Sequence, residues 1–137
     1  MRFFKSIPTL AYVVGAYNIL AFFGTTLLGS NIWQINLPSG AQWTLSVNEL
    51  LLTLAVIFLY IEIFRATRTS TASIVDHALS MALFIICLLE FIIIARFGNS
   101  TFFIITLICL LDVVAGFTVT ISTARRDFGI GTHAAGG

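Results

Sequence analysis

The chain has 137 residues, 58% of them hydrophobic and only 9% charged, with a formal net charge of +1. A soluble domain carries roughly a quarter charged residues because its surface must face water. Together with a mean hydropathy of +1.03, this excludes an ordinary soluble enzyme, a disordered tail and a nucleic-acid binder with a basic face.

Four apolar stretches, at about 7–29, 47–64, 75–95 and 101–122, each approach the ~20 residues that cross a bilayer as a helix. The expected fold is therefore all-α: a polytopic membrane protein with four transmembrane helices in one domain over 1–124, followed by a short cytoplasmic tail over 125–137. Arg2 and Lys5 precede the first stretch in the manner of a signal peptide. Its apolar run exceeds the ~7–15 residues of a signal h-region and no small-x-small site follows, so it reads as a retained span.

Basic residues set the orientation. Arg2 and Lys5 lie before span one, Arg65 and Arg68 between spans two and three, and Arg125 and Arg126 after span four; only Arg96 lies on the other side. This places both termini in the cytoplasm of a bacterial cell, with the chain in its cytoplasmic (inner) membrane. Arg65, Arg68, Arg125 and Arg126 can contact anionic headgroups at the inner face, or simply lock the topology.

Between spans one and two, Trp33, Ile35 and Leu37 alternate with polar residues, and Trp43, Leu45 and Val47 do so again after Pro38-Ser39-Gly40. A period of two around a Pro/Gly turn predicts a short external hairpin at about 31–46. An irregular loop anchored at the interface by Trp33 and Trp43 explains the same residues.

Ser46-Val47-Asn48-Glu49 has the pattern of a capping box, with Leu45 and Leu50 as a hydrophobic staple. Ser73-Ile74-Val75-Asp76 repeats the pattern more weakly at span three, where Asp76 suits the positive helix end. Asn99 or Ser100 can cap span four. Capping is the plain explanation of Glu49 and Asp76.

A polar side chain in hydrocarbon needs a partner. Asn18 lies in span one on a stripe with Ala11, Gly15, Thr25 and Gly29, the pattern of a packing seam between helices. Asp112, near the centre of span four, costs ~2.5–3.5 kcal/mol to insert as a charge. Its depth resembles that of Asn18, so the two can join spans one and four. A proton or cation site and a contact with a partner subunit are the other readings of Asp112. Glu90 shares a stripe with Ser80 and Cys87, and faces the outer surface or Arg96. Glu62, three residues before Arg65, allows a local ion pair.

Cys87 and Cys109 lie at similar depths on neighbouring helices and read as inert buried thiols. One helix histidine, His77, supplies no bis-His haem site, and no ligand cluster implies a metal or another cofactor. No phosphate loop, Ser/His/Asp arrangement or zinc-protease motif is present. The Gly-Ile-Gly-Thr-His-Ala-Ala-Gly-Gly terminus has the composition of a flexible end.

The segment Phe58-Leu59-Tyr60-Ile61-Glu62-Ile63-Phe64 resembles the aromatic-acidic end of the second span in the small phosphate-starvation-inducible PsiE-type membrane proteins. The resemblance covers mainly residues 47–122 and is largely topological. It implies four spans and no defined activity. Span three carries Glu90 where that family has a basic residue.

The leading expectation is a membrane protein without catalysis of its own, acting as an accessory subunit of a larger membrane complex or as a homo-oligomer. Its reason is size: four short helices have little interior in which to satisfy Asn18, Glu90 and Asp112, which favours lateral partners besides lipid. The alternative is a small proton- or cation-coupled transporter or channel using Asp112 and Glu90. Neither involves nucleic acid.

Overall fold

The computed structural model describes residues 7–67 and 72–135, with side chains other than those of 72, 73, 120, 123, 124 and 126–135. Two short helices, α1 (Leu10–Phe23) and α2 (Thr25–Leu28), lead into an antiparallel pair, β1 (Asn31–Asn36) and β2 (Gln42–Ser46). Three longer helices follow: α3 (Val47–Ala66), α4 (Ala72–Ile93) and α5 (Ser100–Ala135), with a 3-10 turn at Ala95–Phe97 before the last.

Among the described residues, three helices are long and apolar enough to cross a membrane, over Val47–Ala66, Ile74–Ile93 and Ser100–Val119. The first expected span is not one continuous helix. It breaks at Gly24 (φ −149°, ψ 47°), where a residue of low helix propensity precedes two β-branched threonines. The 14 residues of α1 rise only ~21 Å, short of a ~30 Å hydrocarbon core.

α5 is the central helix. It packs against both α3 and α4, and 44% of its membrane-length window is buried against 17% and 11% of theirs. α1 lies on α3 and buries Leu10, Val13, Val14, Tyr17 and Ala21, a helical stripe of mostly large residues. The expected seam is open at Gly15, where a Cβ meets nothing within 4 Å. Bulk rather than smallness seats this helix, because Tyr17 packs into Phe102 and Phe97 at centroid distances of 5.1 and 5.7 Å.

The hairpin forms with Trp33 opposite Leu45, Ile35 opposite Trp43, and an irregularity at Ile32. Pro38 opens its turn, Gly40 takes φ +86°, and Leu37 N–H donates to Ala41 O at 2.8 Å. That positive φ is the conformation glycine adopts without a Cβ clash. Trp33, Ile35, Leu37, Trp43 and Leu45 share one face by alternation, and Gln34, Asn36, Gln42 and Thr44 the other. Val47 N–H donates to Ser30 O at 3.1 Å and closes the hairpin onto α3.

Ser46 and Glu49 make both halves of a capping box on α3. Asn99 caps α5, its Oδ1 accepting from Phe102 N–H at 2.9 Å. The side chain of Ser73, the expected cap of α4, lies outside the described residues. The backbone of α5 stays helical to Ala135, through the segment expected to be a flexible end; no proline interrupts it, and single glycines cost only ~1 kcal/mol each.

Candidate functional site

Five ionisable side chains of the helices converge at the end of the bundle opposite the hairpin. Glu62 and Arg65 come from the last turns of α3, Asp76, His77 and Ser80 from the early turns of α4, and Asp112 and Gly116 from α5. These seven, with Ala66, line a small polar void of about 20 Å³, room for roughly one water.

Glu62 is buried and is the hub. Its Oε1 accepts from Thr9 N–H at 2.6 Å, from the Thr9 hydroxyl at 2.7 Å and from Arg65 Nη1 at 3.1 Å. The carboxylate thereby caps α1 from another helix, at the positive end of its dipole. Arg65 reaches on to Asp76, Nη2 to Oδ2 at 3.8 Å, so it pairs with two acids. Asp76 Oδ1 is buried and has no hydrogen-bond partner. Asp112 is 5% exposed and shares the void with Ser80, Glu62 and Arg65.

His77 stacks on Phe117 with centroids 5.1 Å apart. A Cβ on Gly116 would stand 2.9 Å from His77 Cε1, so the absence of a side chain there admits the imidazole against α5. Among the described residues, three carboxylates surround one arginine and one histidine. Even counting the histidine, acids outnumber basic side chains around this void.

Asn18 does not meet Asp112. Its Nδ2 donates to Glu90 Oε2 at 3.2 Å and to Val14 O at 2.9 Å. The Glu62–Thr9 contact sets the start of α1 level with the cluster, so Asn18, nine residues on, lies ~13 Å further along by helical rise. Glu90 takes Asn18 rather than Arg96 as its partner. Arg96 instead donates to the carbonyls of Ala21 and Phe22 at 3.3 and 3.4 Å and lies over the Phe22 ring.

Two acid positions thus occupy the two halves of the bundle, Asp112 with Ser80 and Glu90 with Asn18, ~15 Å apart along α4 by helical rise. Between them lie Cys87 and Cys109, both buried with free thiols.

Trp33 and Trp43 are exposed on the hairpin, and Arg125 is exposed on α5. Arg68 and the side chain of Arg126 lie outside the described residues. Sequence reasoning gave Glu62, Asp76 and Asp112 separate explanations and missed their convergence. The signal was the 65–74 loop: in an antiparallel pair, residues a turn or so to either side of a connection face each other at the same level. Comparison of the chain with protein-family profiles, curated proteins and solved structures finds no match.

Proposed function

We propose that the chain is a four-span protein of a bacterial cytoplasmic membrane, with both termini cytoplasmic, that couples a proton or small cation to transport through Asp112 and Glu90. α1 and α2 together make the first crossing, interrupted at Gly24. The cluster around Asp112 lies at the cytoplasmic end, where Arg65 satisfies the excess of basic residues on that side.

One observation carries this reading: three carboxylates share a water-sized void with one arginine and one histidine. Buried carboxylates in a membrane are expensive and mark ion or proton sites by default. The expectation of an accessory subunit or homo-oligomer had rested on polar groups that lacked partners within one chain. Two of those groups, Asn18 and Glu90, bond each other within the chain, which weakens the ground for that expectation. The PsiE-type resemblance adds topology but no activity.

The test is flux in proteoliposomes holding the full chain, driven by a potassium diffusion potential, with interior pH and sodium read by dyes. Wild type should move protons or sodium above protein-free vesicles. Asp112→Asn should abolish that flux, and Glu90→Gln should reduce it. Wild-type vesicles indistinguishable from empty ones, or full flux in Asp112→Asn, would overturn the proposal.

A further inference from the structure

A second cavity lies at the opposite end, among residues the coupling site does not use. It measures about 360 Å³, within the range of small-ligand sites. Tyr17, Thr25, Asn48, Arg96, Asn99 and Thr101 supply its polar lining, and Ala21 and Gly29 leave it open by their small size.

Its chemistry is specific. Among the described Lys and Arg side chains, Arg96 alone lies at this end. It has no ion-pair partner among the described residues, and its Nη1 donates to two main-chain carbonyls. The Asn48 carbonyl oxygen, Oδ1, is buried without a hydrogen-bond partner. A buried acceptor left unmatched in a folded protein points to a ligand or water that completes it. The cavity therefore presents one fixed positive charge and, beside it, one acceptor that wants a donor.

Depth narrows the ligand. Asn48 and Thr101 are the second residues of the membrane-length windows that begin at Val47 and Ser100. Arg96 sits in the turn between α4 and α5. In a chain that spans a bilayer, this is the headgroup level of one leaflet. One guanidinium suits a singly charged anion better than a doubly charged phosphate monoester.

We infer that this cleft binds the phosphodiester headgroup of a membrane lipid, with its phosphate on Arg96 and a headgroup N–H or O–H donated to Asn48 Oδ1. Phosphatidylethanolamine and phosphatidylglycerol both carry such a donor, whereas the choline of phosphatidylcholine has none. The site is independent of the acid cluster, so either can fail alone.

The experiment is native mass spectrometry of the full chain released from detergent micelles, titrated with short-chain lipids. Phosphatidylethanolamine should bind at one per chain, about tenfold or more tighter than phosphatidylcholine, the factor expected for one hydrogen bond from a charged group, and phosphatidylglycerol, with its neutral hydroxyl donor, about threefold or more tighter. Arg96→Gln should lose that affinity and Arg96→Lys retain most of it. Asn48→Ala, which keeps the Arg96 contacts to α1, should bring the ethanolamine lipid down to the choline level; it decides the matter if Arg96→Gln fails to fold. Equal binding of all three lipids to wild type, or wild-type selectivity in Asn48→Ala, would overturn the inference. Tail-free glycerophosphoethanolamine is the second arm. Binding as tight as that of the intact lipid would support the phosphodiester contact and overturn the bilayer as its source.

Discussion

Glu62 holds the amino end of α1 from across the bundle, its Oε1 receiving the Thr9 amide at 2.6 Å and the Thr9 hydroxyl at 2.7 Å. Thr9 itself makes no side-chain cap on its helix, so the carboxylate of α3 does that work. Glu62→Leu removes both bonds and leaves the Thr9 amide unsatisfied, with an expected loss of about 3 kcal/mol. Glu62→Gln keeps an acceptor but not the charge and should lose about half as much. Reversible unfolding in mixed micelles checks the order; equal loss in the two variants would show that the charge contributes nothing.

Asn18 and Glu90 should be energetically coupled. Single replacements Asn18→Leu and Glu90→Leu each strand the other polar group, while the double replacement strands neither. Hydrogen bonds between membrane helices average ~0.6 kcal/mol in such cycles, with a maximum near 1.7. A double-mutant cycle on unfolding free energy should return a coupling in that range. Zero coupling would mean that Asn18 is satisfied by Val14 O alone.

Much of the architecture was legible because hydrocarbon leaves a long, unambiguous signature. The three long helices, the two-strand turn around Pro38-Ser39-Gly40 and the Ser46/Glu49 cap each come from local rules of periodicity, turn chemistry and capping. What failed was non-local. The break at Gly24 depends on one glycine whose tolerance in a helix the sequence does not decide. The site depends on relative depth: the Glu62–Thr9 contact sets Asn18 ~13 Å beyond the level of Asp112 by helical rise, beside Glu90. Small residues on α1 suggested a close seam, but Tyr17 and its aromatic neighbours took the contact, because burial of large rings outweighs backbone approach there.

The hairpin face bearing Trp33 and Trp43 should meet lipid headgroups. Both rings are about half exposed, at 59% and 48%, and no charged residue occurs between Lys5 and Glu49. Amphipathic rings on an uncharged strand pair settle at the membrane–water boundary. In vesicles, lipids brominated near the headgroup should quench tryptophan emission more than lipids brominated near the bilayer centre. Exchanging Ile35 for Asn should weaken that quenching by lifting the face. Stronger quenching from the deep position would place the strands in hydrocarbon, where their unpaired edges are untenable.

Gly15 and Gly116 offer a matched comparison, since both lie inside helices and only one faces a close neighbour. Replacing a helix-interior glycine by alanine gains about 0.5–1 kcal/mol where the space is free. Gly15→Ala meets nothing within 4 Å and should be stabilising by that amount. At Gly116 the new Cβ would come within 3.0 Å of His77 Nδ1 as well as 2.9 Å of Cε1, and the imidazole is backed by the stacked Phe117 ring. Overpacking of this kind costs about 1–3 kcal/mol, which outweighs the helix gain and predicts a net loss near 1 kcal/mol. The His77 Cε1–H resonance should move in Gly116→Ala and stay put in Gly15→Ala. A stabilised Gly116→Ala with an unmoved resonance would mean that α4 and α5 stand further apart at the cluster than the His77–Gly116 contact requires.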